Sequence, residues 1–185
     1  MEKENVLAGK KIVLGVCSSI AVYKSCELVS LLVKHGASVS VIMTENACKL
    51  ISPRIFQTLS HNQVYTTMWS PVSDWKPEHI SVAESADVFV VAPATANTIG
   101  NFANALANDF LSTAYLATRA KVIIAPAMNV NMYEHRAVQR NIDTLKYEGV
   151  EFVEPECGRL ACGVEGKGRL ADVDTIFKAI LEALV

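Results

Sequence analysis

Apolar residues fall along this chain in two alternating patterns. Short apolar runs that read as strands occur at residues 11–16, 38–43, 88–93, 121–125 and 150–153, with a weaker one at 63–67, and the run from Val88, without polar alternation, reads as a strand buried on both faces. Between them lie segments of helical period at 20–34, 98–107, 110–119 and 131–148, and a closing helix that ends at Leu184. Two short helical pieces flank Pro53, and another short helix is expected to start near His79. Gly36 and Gly149 supply C-terminal stops, while Asp109 and Asp172 stand where N-caps belong. Strands alternating with helices predict parallel βαβ units in a three-layer α/β/α, Rossmann-like sandwich, as one domain over residues 1–185.

The central run, 88–97, reads Val-Phe-Val-Val-Ala-Pro-Ala-Thr-Ala-Asn. Pro93 cannot donate to a ladder and is expected to end the strand. The small residues Ala94, Thr95, Ala96 and Asn97 then form a loop into a helix. In open parallel sheets, ligands bind beyond the carboxyl ends of strands where the strand order reverses, so this loop is a candidate site. Residues 70–78 read as a loop, and 154–168 are too long and glycine-rich for a plain connector.

Composition narrows the class. A chain of 185 residues, 51% apolar and 19% charged, is long enough to bury a core without staples. A net charge of −2 makes no electrostatic case for nucleic acid or a membrane surface. The polar, mixed-charge residues 1–5 do not read as a signal peptide, and no apolar run reaches the roughly 18 residues of a membrane span. Five cysteines, an odd count without close repeated pairs, argue against a disulfide framework and for a reducing cytoplasm.

Candidate chemistry sits at the ends of the predicted strands. The turn Gly15-Val16-Cys17-Ser18-Ser19-Ile20-Ala21 joins a strand to a helix, where backbone N–H groups and the helix dipole favour a phosphate. The dinucleotide fingerprint is absent, and the serines would equally serve as a helix N-cap. Together with Thr44 and Thr95, the hydroxyls of Ser18 and Ser19 point to a mononucleotide phosphate site. Pro126-Ala127-Met128-Asn129 repeats the device one strand along. His79 is expected at the start of a helix with its ring partly exposed, and His135 on the surface of the 131–148 helix. Cys157 and Cys162, with no second pair and no local histidine, are a poor zinc pattern, so no metal site is expected. Segment 158–169, with Arg159, Lys167 and Arg169, reads as a lid over an anionic ligand or as a solvated loop. Cys17, Cys26 and Cys48 read as small buried hydrophobes.

These pieces occur together and in a telling order: the 15–24 turn, His79-Ile80, Ala92-Pro93-Ala94-Thr95-Ala96-Asn97, Pro126-Ala127-Met128-Asn129, and Ala161-Cys162-Gly163 ahead of Gly166-Lys167-Gly168-Arg169. Over nearly its whole length the chain resembles the homo-oligomeric flavin-containing cysteine decarboxylases. The resemblance implies a six-stranded parallel sheet in the order 3-2-1-4-5-6, and FMN held by Gly15, Ser18, Ser19, Thr44, Pro93, Ala94, Thr95, Ala96 and Asn97, with Ala127 near the ring. It implies a trimer or dodecamer with active sites between subunits, His79 and the flavin coming from neighbouring chains.

The implied reaction converts 4′-phosphopantothenoylcysteine to 4′-phosphopantetheine and CO2 in coenzyme A biosynthesis. FMN oxidises the thiol side to a thioaldehyde, which accepts the electron pair left by CO2, and the reduced flavin then returns its electrons. By resemblance His79 handles the proton of the oxidative half, Asn129 holds the carboxylate, and Cys162 is the acid of the reductive half. Ala161, Gly163 and Arg169 contact substrate by the same resemblance. The chain ending at Val185 reads as the form not fused to a synthetase. The alternatives are an oxidative decarboxylase of a peptide C-terminal cysteine, of lantibiotic type, and a non-catalytic flavin-binding regulatory subunit.

Overall fold

The structure is a computed structural model and describes residues 5–70, 75–159, 163 and 165–185. The chain runs β1 (Lys11–Val16), α1 (Val22–Lys34), β2 (Ser38–Met43), α2 (Glu45–Cys48), α3 (Pro53–Ser60) and β3 (Val64–Tyr65) through its first half. It continues with α4 (Glu78–Ser85), β4 (Val88–Ala94), α5 (Ala96–Ala103), α6 (Phe110–Ala117) and β5 (Lys121–Pro126). Then follow α7 (Val130–Tyr133), α8 (Arg136–Tyr147), β6 (Glu151–Phe152), β7 (Glu156–Arg159), β8 (Glu165–Arg169) and α9 (Val173–Ala183). Six strands form one sheet in the order β3-β2-β1-β4-β5-β6, with every neighbouring pair parallel. This is the expected three-layer α/β/α sandwich, and the strand order reverses between β1 and β4.

Burial on both faces explains why β4 carries no polar alternation. Val88 and Val90 of β4 join Leu28 and Leu32 of α1 and Ile176 and Ile180 of α9 in one cluster. Phe89 and Val91, pointing the other way, join Ile99 of α5, Leu111 of α6 and Ile142 of α8. Every residue of β4 is buried. Gly15 sits under α6, where an added Cβ would lie 2.6 Å from a Leu111 methyl, so close packing accounts for this glycine.

Several boundaries differ from expectation for identifiable reasons. β4 runs through Pro93 to Ala94 with a register shift, because the carbonyls keep working: Pro93 O accepts from Cys17 N–H (3.2 Å) and Ala94 O from Ala127 N–H (3.0 Å). α1 begins at Val22, two residues later than expected, so neither serine of the preceding turn is its N-cap. The expected 131–148 helix is two helices. His135 is extended between them and caps α8, its Nδ1 accepting from Ala137 N–H at 3.2 Å. Segment 154–168 contributes the strands of a separate antiparallel hairpin, β7–β8. Asp109 does cap α6, as half of a capping box with Ser112. Asp172 occupies the N-cap position of α9 without capping it and accepts from Lys24 instead. Cys17 is buried, whereas Cys26 and Cys48 are only half-buried. No described helix is long and apolar enough to cross a membrane.

Candidate functional site

A cavity of about 860 Å³ opens at the carboxyl ends of β1, β4 and β5, beside the point where the strand order reverses. That volume lies within the ~300–1,000 Å³ usual for cofactor and small-molecule sites. Its first wall is the turn into α1, residues 18–21, with Tyr23 and Lys24 of the helix itself. Thr95 and Ala96 supply the floor beyond β4. Ala127, Met128, Asn129 and Met132 form the wall beyond β5, and Gly168, Arg169 and Leu170 close the side facing it.

The turn at α1 offers donors. Ser19 N–H donates to the Cys17 carbonyl (2.9 Å) and Ala21 N–H to Ser19 Oγ (3.3 Å), while among the described residues nothing accepts from the N–H groups of Ser18 or Ile20. Unspent N–H groups before a 13-residue helix suit an anionic oxygen. Below the turn, Cys17 Sγ lies 3.2 Å from Thr98 Oγ1, which lies 3.1 Å from Thr95 Oγ1. Thr95 caps α5 by accepting from Thr98 N–H at 3.3 Å. Burial pushes the Cys17 thiol up to about 11, against hydrogen bonds from Thr98 and the Thr95 backbone, so it is protonated at neutral pH.

The opposite walls meet at backbone distance. Met128 N–H donates to the Gly168 carbonyl at 3.0 Å. Asn129 caps α7, its Oδ1 accepting from Asn131 N–H at 2.9 Å. Charge gathers at the rim: Lys24, only 9% exposed, places Nζ 3.0 Å from Asp172 Oδ1, and the Arg169 guanidinium lies 3.7 Å from the same oxygen. The hydrogen bond and charge of Lys24 hold the Asp172 carboxyl below its ordinary range. Arg169 also lies 3.8 Å from Glu156, whose carboxylate accepts from Asp172 N–H at 2.9 Å. The unspent N–H groups of the α1 turn suit a phosphate, and the side chains of Ile20, Ala127, Met128 and Met132 give the same cavity an apolar lining that suits a ring. Among the described residues no cluster of His, Cys, Asp and Glu could hold a metal ion.

Of the residues singled out from sequence, Ser18, Ser19, Thr95, Ala96, Ala127, Asn129 and Arg169 line this cavity together. Pro93 and Ala94 are buried beneath it. Thr44 stands apart from the lining and caps α2, accepting from Ala47 N–H at 3.2 Å. Asn97 is exposed on the first turn of α5, and Gly163 is exposed with φ +83°. His79, half-buried in α4, turns its ring edge-on to Phe110, 6.1 Å between centroids, and does not line the cavity. Ala161 and Cys162 lie outside the described residues. Sequence reasoning missed Lys24, although a lysine four residues before Leu28 on the core-facing stripe of α1 was the available signal.

Comparisons with known proteins agree with this geometry. The chain is 51% identical over 173 residues to the coenzyme A biosynthesis bifunctional protein CoaBC of Bacillus subtilis, covering 94% of this chain and 43% of that one. It spans less than half the length of such bifunctional relatives, the Haemophilus influenzae protein included, of which it covers 44%. The probable phosphopantothenoylcysteine decarboxylase of Streptococcus mutans is 42% identical over 177 residues, which is 95% of this chain and 99% of that protein. Among solved structures, the FMN-dependent cysteine decarboxylase SpaF superposes with a TM-score of 0.84 at 29% identity, covering 97% of this chain and 99% of SpaF. A PPC decarboxylase mutant complexed with pantothenoylaminoethenethiol gives 0.80 at 26% identity over 92% of this chain and 96% of that one. The Flavoprotein family model matches residues 1–185, end to end, and the chain belongs to that family.

Proposed function

We propose that this chain binds FMN and decarboxylates 4′-phosphopantothenoylcysteine to 4′-phosphopantetheine and CO2, a step of coenzyme A biosynthesis carried out in the cytoplasm. The observation that carries the reading is the single cavity in which a donor-bearing helix turn, the Thr95 loop and the Pro126-Ala127-Met128-Asn129 wall converge. The 42% identity to the Streptococcus mutans protein over 99% of its length supports the same assignment. FMN, when bound, would supply the reversible two-electron oxidation that gives the electron pair left by CO2 a place to go.

The chain's own residues then divide the remaining work. The N–H groups of Ser18 and Ile20 and the Ser18 and Ser19 hydroxyls would hold the FMN phosphate, and Thr95, Ala96 and Ala127 would lie beside its ring. Asn129 donates its amide to the substrate carboxylate, a charge-assisted hydrogen bond contributing about 1.5–3 kcal/mol. Arg169 and Lys24 place positive charge at the rim, where a phosphorylated substrate enters. Cys162 protonates the product in the reductive half, with Ala161 and Gly163 beside it. His79 takes the proton in the oxidative half. Its position away from this cavity supports a homo-oligomer, trimer or dodecamer, in which a neighbouring chain's His79 completes each site.

The test is purified, FMN-loaded protein with 4′-phosphopantothenoylcysteine, following CO2 and 4′-phosphopantetheine, beside Cys162→Ser. The wild type is expected to form both products, and the variant to release CO2 yet stop at the oxidised, decarboxylated thiol. CO2 from a peptide ending in cysteine, with none from 4′-phosphopantothenoylcysteine, would overturn the substrate assignment. Bound FMN with no CO2 from either would leave a non-catalytic flavin-binding role.

A further inference from the structure

Glu154 lies between β6 and β7, outside the cavity, and its carboxylate gathers donors from three elements. Tyr133 Oη at the end of α7 donates to Oε2 at 2.7 Å, and Lys167 Nζ of β8 donates to the same oxygen at 2.8 Å. Lys146 Nζ of α8 donates to Oε1 at 2.8 Å. The Lys167 ammonium also stands 5.5 Å from the centroid of the Tyr133 ring. Tyr133 directly follows Met132, and Lys167 directly precedes Gly168, so each donor adjoins a residue of an opposing cavity wall. One carboxylate thus ties the α7 wall to the β8 wall from behind.

The two walls do not depend on that tie equally. α7 is carried between β5 and α8, and its Tyr133 carbonyl accepts from Gln139 of α8. Among the described residues, β7 and β8 pair only with each other. An isolated two-stranded hairpin is at best marginally stable in water. Among the described residues, the hairpin's ties to the rest of the protein include Met128 N–H to Gly168, Lys167 to Glu154 and over the Tyr133 ring, Gly166 against Val130, and the Glu156 and Arg169 contacts with Asp172. Burial raises the Glu154 carboxyl, but hydrogen bonds from Lys146, Lys167 and Tyr133 outweigh it and lower the group to about 2, so the tie is charged throughout the neutral range.

We propose that Glu154 is a positioning residue: it holds the β8 wall in register with α7 so that the decarboxylated substrate stays placed for the reductive half of the reaction. This inference rests on the FMN-decarboxylase reading above. Its signature is uncoupling of the two halves, not a uniform loss of rate.

The experiment compares wild type with Glu154→Gln, Lys167→Met and Lys146→Met, each FMN-loaded, and counts 4′-phosphopantetheine formed per CO2 released in air. The wild type and Lys146→Met should stay near one, since Lys146 touches the same carboxylate from α8. Glu154→Gln and Lys167→Met should fall below about one in two. The balance would appear as the decarboxylated enethiol, with the two electrons and two protons removed from the substrate in the oxidative half passing to dioxygen as hydrogen peroxide. In parallel, amide exchange over 165–169 should quicken about tenfold in Glu154→Gln and Lys167→Met alone. A ratio near one in all four proteins overturns the proposal, as does an equal fall in the two lysine variants. If the wild type releases no CO2, the functional reading falls, and β8 exchange alone then upholds or overturns the tie.

Discussion

Gly168 and Met128 touch through their backbones. A Cβ on Gly168 would lie 2.3 Å from the Met128 carbonyl oxygen, while Met128 N–H donates to the Gly168 carbonyl at 3.0 Å. Gly166, two residues back on the same face of β8, leaves a similar gap, where a Cβ would come 2.8 Å from a Val130 methyl. The glycines of this hairpin therefore let β8 lie directly against the loop that carries Asn129.

Gly168→Ala should disturb the cavity, because the atom its methyl meets is backbone and cannot rotate away. Overpacking of this kind costs about 1–3 kcal/mol, or about 5- to 150-fold in FMN affinity if the wall must shift to bind. Gly158→Ala is the control, since its Cβ would meet Arg169 only at 3.7 Å, an ordinary contact. A fluorescence titration with FMN reads both. Equal affinity for Gly168→Ala and wild type would place the β8 wall outside the cofactor site.

Asp109→Ala should lower stability without touching the site. The Asp109 carboxylate accepts from Ser112 N–H at 2.7 Å, and Ser112 Oγ accepts from Asp109 N–H at 3.1 Å. Losing such a cap costs about 1 kcal/mol, a fall of about 2–4 °C in Tm for a chain of this size. Asp109→Asn keeps an acceptor and should recover part of the loss. Thermal unfolding followed by circular dichroism measures it, and an unchanged Tm in the alanine variant would mean that α6 is held by packing alone.

What could be read from sequence was what local pattern encodes. Val88 to Val91 announce a two-face strand because consecutive residues enter opposite clusters, and Asp109 announces a cap because its partner is three residues away. The cavity's loops could be placed for the same reason, since Thr95 directly follows β4 and Asn129 stands three residues beyond the end of β5. The misses are non-local. β7 and β8 pair Glu156 with Arg169, Cys157 with Lys167, Gly158 with Gly166 and Arg159 with Glu165, positions without apolar alternation, so nothing in their composition separates strand from loop. Asp172 is a plausible cap until Lys24, 148 residues earlier, claims its carboxylate. The break at His135 turns on a ring nitrogen accepting from Ala137, a bond that helical period does not register.

Cys17 and Cys157 should separate cleanly in thiol labelling. Cys17 is 1% exposed and its thiol, raised to about 11, is almost wholly protonated at pH 7.5, whereas the thiolate is the reactive form. Cys157 is exposed on β7. Iodoacetamide on the native protein should modify Cys157 and spare Cys17 until denaturant is added, as peptide mass spectrometry would show. Rapid native labelling of Cys17 would mean that the turn below Ser18 opens far more readily than its burial implies.

Acid should erase the contribution of Glu154. Its carboxyl sits at about 2 in the folded chain, below the ~4.3 of a free glutamate, so folding favours the ionised form. The stability this supplies is complete above the free value and is lost as pH falls from about 4.3 toward 2. Asp172, also lowered, titrates in acid as well, so the informative quantity is the difference in Tm between wild type and Glu154→Gln at each pH. That difference should be largest at pH 6–7 and shrink steadily below about pH 4, because the unfolded glutamate is then protonated while the folded one stays ionised until about pH 2. The side chain is 44% exposed, so salt should reduce the neutral-pH difference as well. A difference independent of both pH and salt would assign the tie to the uncharged hydrogen bond with Tyr133, leaving the two lysines no part in it.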